Sequence, residues 1–282
     1  MYTEQDSVKS VITGYLSKHL DVFRDNLEKA EQEYDGEAIH QYRVSVKRMR
    51  AIINALDRVY DSPMFPKKLI QPLRDMFKAG GTIRDDQVQI ILVENIEKEF
   101  GTAFPLIKAF YQKRIEDQRN AFFLKSVDFD FSTLDDILQQ IKSILEPLDD
   151  EFIEYNLYRR LHESMEKLKG KRYDLDKPEK LHRFRTRFKE NGYIAEMIYQ
   201  AKHSNKITKA AYNRMKNFGQ ELGDWHDHYQ LWSKTALIFQ ESRNMELLGE
   251  CYELRKLIMP VHDRLFQEIL HMIKRDDSLF AI

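Results

Sequence analysis

Between Ala38 and Leu56 the chain reads AIHQYRVSVKRMRAIINAL, and its apolar positions return every three or four residues. Tyr42, Val46, Met49, Ile52, Ile53 and Leu56 fall within a sector of about 120° when each residue advances about 100°. That is the buried face of a helix. Period-two alternation, which marks half-buried strands, is not convincing anywhere. Gly and Pro number only 10 and 7, and they cluster. None interrupts Leu106–Glu146, Tyr193–Phe218 or Asp224–Leu248. Breaks are predicted at Asp35-Gly36, Pro63 to Pro66, Gly80-Gly81, Gly101, Gly170, Pro178 and Gly223, with Gly192 inside a helix. They divide the chain into roughly ten or eleven helices of ordinary length, so an all-α protein is expected.

The pattern repeats. IHQYRVSVK starts at Ile39 and LHRFRTRFK at Leu181, 142 residues later. GTIRD from Gly81 and GDWHD from Gly223 stand at the same spacing of 142. Two motifs in one register predict a tandem duplication, with one helical repeat over 1–145 and a second over 146–282. The joining segment near KSVDFDFSTLDD is acidic and uneven, as a connector would be.

Opposite the apolar face of the first stretch stands a basic stripe. With His40 at zero, Arg43, Lys47 and Arg50 fall at about −60°, −20° and −80°. In the second copy His182, Arg185 and Lys189 repeat these angles, backed by Phe184, Phe188, Ile194 and Ile198. A face serving only solubility usually interleaves both signs, whereas this one carries like charges that repel. The rise of about 1.5 Å per residue spaces the cations by about 5 Å, which suits a linear polyanion. Arg grips phosphate oxygens in pairs, Lys adds a point charge, and a histidine beside phosphate tends to protonate.

Composition changes this picture little. Formal net charge is −1 across 282 residues, so any basic site is local and offset elsewhere. One cysteine, Cys251, forms no internal disulfide and no thiolate cage. No stretch has the length of a membrane span, and MYTEQDSVKS lacks a signal-peptide core; a cytoplasmic protein is expected.

The motifs IHQYRVSVKRMRAIINAL, GTIRDDQVQ, LHRFRTRFKENGYIAEM and LGDWHDHYQL together resemble the CHAD family, the conserved histidine α-helical domains. The resemblance spans nearly the whole chain as a single domain. It implies two four-helix bundles related by a pseudo-twofold axis. It also implies a basic groove or pore that binds inorganic polyphosphate. No base, nucleophile or metal set that would cleave such a chain stands out in the sequence, so binding without cofactor or catalysis is expected, in the cytoplasm and in association with polyphosphate granules. By match, His40, Arg43, Lys47 and Arg50 carry over from the first copy, and His182, Arg185 and Lys189 from the second. Where the first copy has KRMR, the second has KENG, and Glu196 also falls on the second basic face, so an asymmetric groove is expected.

Further residues have two readings each. Thr82 and Asp224, followed by Asp85 and Asp227, look like capping boxes at helix starts. Alternatively each aspartate orients a stripe cation. Arg84 flanks this turn. Lys18 and Arg160, 142 apart, extend the basic walls or sit in solvent. His182, His226, Asp227 and Asp263 suggest a metal-dependent phosphohydrolase as a rival function, although Arg84-Asp85 occupies the place of a ligand histidine in the first copy. A second rival is a scaffold docking an acidic protein segment; nucleic acid is a weaker variant.

Overall fold

The computed structural model describes residues 7–33, 36–59, 64–66, 68–200 and 207–282. The predicted breaks at Asp35 and Pro63 lie outside them. Among the described residues there is no strand, and ten α-helices run in order: α1 (Val8–Glu33), α2 (Gly36–Leu56), α3 (Gln71–Ala79), α4 (Gly81–Phe100), α5 (Pro105–Val127), α6 (Ser132–Leu145), α7 (Asp150–Gly170), α8 (Pro178–Gln200), α9 (Lys209–Glu241) and α10 (Met245–Arg275). Short 3₁₀ turns follow α7 and α10.

Local chemistry sets most of the boundaries. Gly101 closes α4 in the left-handed region at φ 66°, where a Cβ would be strained. Pro105 opens α5, where its missing N–H is no loss. Asp149 caps α7 by accepting from the Phe152 N–H at 2.8 Å. Thr208 caps α9 through the Ala211 N–H at 3.1 Å, and Asn244 caps α10 through the Glu246 and Leu247 N–H groups. Gly192 lies inside α8 as expected.

Two expectations about the elements need correction. Gly223 does not break the chain; it lies inside the 33-residue α9. A helix-interior glycine costs only about 1 kcal/mol, and the flanking sequence and packing outweigh it. Likewise KSVDFDFSTLDD is no loose connector. α5 runs on to Val127, and α6 then buries Leu134, Ile137, Ile141 and Leu145 at helical spacing, packed against α1.

The repeat spacing recurs in the element bounds. Asp150, which opens α7, stands 142 residues after Val8, which opens α1; Pro178 and Gly36 are related in the same way. By that register α3 and α4, parted at Gly80, correspond to the unbroken α9.

Two apolar cores hold the helices. The larger one contains Phe23, Tyr42, Val46, Met49, Phe122, Phe184, Phe188 and Trp225. The smaller joins α4 and α5 to α9 and α10 through Val93, Ile96, Ile107, Tyr111, Leu231, Ile238, Leu254 and Ile258. Both draw residues from either side of position 146. The whole predicted apolar face of α2 is buried here, each large side chain contributing about 1.5–3 kcal/mol. Asp86 is buried between the same helices, where it accepts from Arg114 at 3.0 Å and from Lys234 at 3.3 Å. No helix among the described residues is long and apolar enough to cross a membrane.

Candidate anion-binding site

The stripes of α2 and α8 follow from their buried faces. Burying Tyr42, Val46 and Met49 on α2, and Phe184 and Phe188 on α8, rotates both basic series toward one seam, because the two helices pack on each other. Lys47 lies in the field of Arg43, Arg185 and Lys189. Burial first, and then those three cations, hold its ammonium down to about 8, with Asp85 partly opposing. Lys189 also acts on His40 and His226. The two ridges therefore converge rather than pointing apart.

On the α2 wall Arg43 is buried. It donates from Nη1 to the Phe77 carbonyl, and its Nη2 lies 3.9 Å from Asp85. Its guanidinium sits 4.1 Å from the centroid of the Phe77 ring, with Lys47 at 5.8 Å and Arg50 at 6.0 Å from the same ring. One aromatic face thus offers its negative quadrupole to three cations. A Cβ on Gly81 would stand 2.7 Å from Arg43 Nη1, so the bare backbone there makes room for the guanidinium. Arg50 is held below its usual range by burial and by Arg74 of α3, with Glu190 opposing. Its Nε is buried without a hydrogen-bond acceptor among the described residues.

On the α8 wall Arg185 donates from Nε to the Leu222 carbonyl at 3.1 Å. Burial lowers Arg185 and Lys189 alike, and Asp227 offsets part of this for both. Asp227 is itself pushed above the usual carboxylate range by burial, against the pull of Arg185 and Lys189. Five basic side chains, Arg43, Lys47, Arg50, Arg185 and Lys189, thus share one seam, Arg43 buried, Arg50, Arg185 and Lys189 half-buried and Lys47 open to solvent, and Asp85 and Asp227 face Arg43 and Arg185.

The histidines line the flanks. His182 and His226 meet Nδ1 to Nδ1 at 3.3 Å, rings 4.6 Å apart, so one donates and the other accepts. Burial and Arg185 hold His226 down to about 3, and the same two causes lower His182. His40 is lowered by burial and then by Arg84, with Glu37 opposing. All three imidazoles are therefore neutral at neutral pH in the unliganded site. Arg84 donates from Nη1 to the Gly36 carbonyl at 3.3 Å, beside His40. His226 and Arg84 are 142 residues apart and flank corresponding histidines.

The capping-box reading of the aspartates is corrected. Gly80 precedes α4 with no side-chain cap, so Thr82 does not cap, and Asp224 and Asp227 lie within α9. Asp85 and Asp227 instead face Arg43 and Arg185. Glu196 does not weaken the α8 wall. It pairs with Arg48 of α2 at 3.2 Å and accepts from the Tyr15 hydroxyl at 3.2 Å. Lys18 is exposed on α1, and Arg160 lines a separate cavity between α7 and α8, 3.8 Å from Glu163. Among the described residues no three His, Cys, Asp or Glu side chains are placed to hold a metal ion. His262 bonds Asp263 at 3.1 Å and does not join His182 and Asp227. Sequence reasoning missed Phe77 and Arg74; only the spacing of 142 between Arg74 and Lys216 hinted at the second.

The fold and the seam define a class: an all-helical protein in which two packed helices, each bearing His, Arg and Lys in series, turn those residues toward one another. The chain belongs to the CHAD domain family, whose profile matches residues 14–233. Its fold is similar to the crystal structure of the CHAD domain from the plant Ricinus communis. The TM-score is 0.77 with 18% identity, over 98% of this chain and 95% of that one, a likeness of fold alone. No curated protein matches the chain.

Proposed function

We propose that the seam binds inorganic polyphosphate, or a similar linear polyanion, and does no chemistry on it. The observation that carries this reading is the convergence of Arg43, Lys47, Arg185 and Lys189 on one seam, close enough that desolvation and the three neighbouring cations hold Lys47, whose side chain still reaches solvent, down to about 8. Like charges so held destabilise the free protein, and an anion threaded between them relieves the repulsion. A row of cations about 5 Å apart along each helix suits an extended polyanion better than one compact anion. Arg43, Lys47, Arg50, Arg185 and Lys189 grip; His40, His182 and Arg84 flank. We also infer that the walls are tandem copies about a pseudo-twofold axis, supported by the shared register of α1 with α7 and α2 with α8.

Titration with polyphosphate of increasing length at two salt concentrations tests the reading. Affinity should rise with chain length and fall steeply with salt, because each phosphate contact releases counterions. Reversing Arg43, Lys47, Arg185 and Lys189 to Glu should abolish binding. Length-independent binding, or binding that survives the reversals, overturns it. Acidic peptide and duplex DNA serve as competitors, and equal competition by either assigns the seam to that partner.

A further inference from the structure

The face of α8 turned away from the seam borders a cavity of about 650 Å³ between α7, α8 and the C-terminal half of α2. Arg183 and Arg187 lie on this face, roughly 100° and 140° around the helix from His182. Seven basic side chains line the cavity against three carboxylates, those of Glu163, Asp174 and Glu190. Two carboxylates are already engaged, Glu163 with Arg159 and Arg160, and Glu190 with Arg187. Lys167, Lys171 and Arg183 have no ion-pair partner among the described residues, and Arg160 Nε is buried without an acceptor. Beneath this cationic rim the lining is apolar, with half-buried Ile194 facing the cavity over a floor of Leu157, Leu161 and Phe184 that the larger core already covers.

The register shows how the equivalent space in the other half is filled. In the equivalent space beside α1, Arg48 pairs with Glu196, which accepts from Tyr15, while Tyr193 lies 5.6 Å beneath the Arg48 guanidinium. At a spacing of 142, the mates of Tyr15, Tyr193, Glu196 and Arg48 are Leu157, Ala51, Asn54 and Glu190. All four mates line the cavity. Two tyrosines are replaced by Leu and Ala and a glutamate by Asn, so the space that one half fills, the other leaves open.

We propose that this cavity is a second anion site, distinct from the seam, that takes a nucleoside triphosphate. Its volume lies within the range of small-molecule sites, about 300–1,000 Å³. The basic rim takes the phosphates, and the apolar wall takes the base and sugar. A bare phosphate chain would leave that wall uncovered. Arg160 thus belongs to this site and not to the polyphosphate walls.

Calorimetric titration of the full chain with ATP, adenosine and tripolyphosphate provides the test. ATP should bind, and adenosine and tripolyphosphate should each bind at least about tenfold more weakly, since each satisfies half of the site. Arg183→Glu should weaken ATP about tenfold and leave long-chain polyphosphate unchanged, whereas Lys47→Glu should do the reverse. Ala51→Tyr, checked for folding by circular dichroism, should refill the cavity and abolish ATP binding. Absence of ATP binding, tripolyphosphate binding equal to ATP, or loss of ATP binding on Lys47→Glu overturns the proposal. Because the two reversals separate the sites, failure here leaves the seam's function standing.

Discussion

Lys47 couples the candidate site to pH. With its pKa near 8, the free side chain is mostly charged at pH 7 and mostly neutral at pH 9. A bound polyanion favours the ammonium and so raises that pKa. Binding at pH 8.5 should therefore take up protons, up to about three-quarters of one from this residue, and affinity should fall as pH climbs from 7 to 9. Calorimetry in buffers of different ionisation heat measures the uptake; proton release on binding would contradict it. Nearby glycines make a second contrast. Gly81→Ala places a methyl 2.7 Å from the Arg43 guanidinium, whereas Gly223→Ala brings one to 3.5 Å from Lys189 Nζ, an ordinary contact. Polyphosphate titration should show a loss of about tenfold for the first variant and little change for the second.

At the scale of elements, the basic and apolar faces of α2 and α8 were legible because a helix face is a local property, set by a 3.6-residue period within one segment. What the period does not encode is which other segment arrives. Phe77 and Arg74 come from α3, and His226 from the middle of α9, so their roles exist only after tertiary packing. The same limit explains Asp85 and Asp227. Their sequence setting fits a helix start, but the cations that packing brings beside them, Arg43 and Arg185, settle their use. Glu196 shows it too, since the stripe arithmetic gave its angle but not its partner Arg48. Asp86, unremarked in the sequence, ties α4 to α5 and α9. Asp86→Ala leaves Lys234 in the interior without its carboxylate, and should cost about 3 kcal/mol in urea unfolding. Arg114, half exposed, rehydrates and keeps the loss near the low end of that range.

For the molecule as a whole, both apolar cores straddle position 146. Although the sequence reads as two copies, neither has a core of its own, and the copies are expected to unfold together. Urea melts followed by tryptophan fluorescence and by circular dichroism should give one coincident transition. Two separated midpoints would show independent halves. Trp225 and Trp232 report from the second copy, and circular dichroism from all helices.

The break at Gly80 has a mechanical consequence. Arg43 reaches across to Phe77 on the short α3, and Asp85 stands on α4 beyond the joint, while Leu222 and Asp227, which serve the opposite wall, share one continuous rod of 33 residues. One side of the seam is therefore carried by two helices that meet at Gly80, and the other by a single helix about 50 Å long, so a change at that junction would move Phe77 relative to Asp85 while Leu222 and Asp227 keep their spacing.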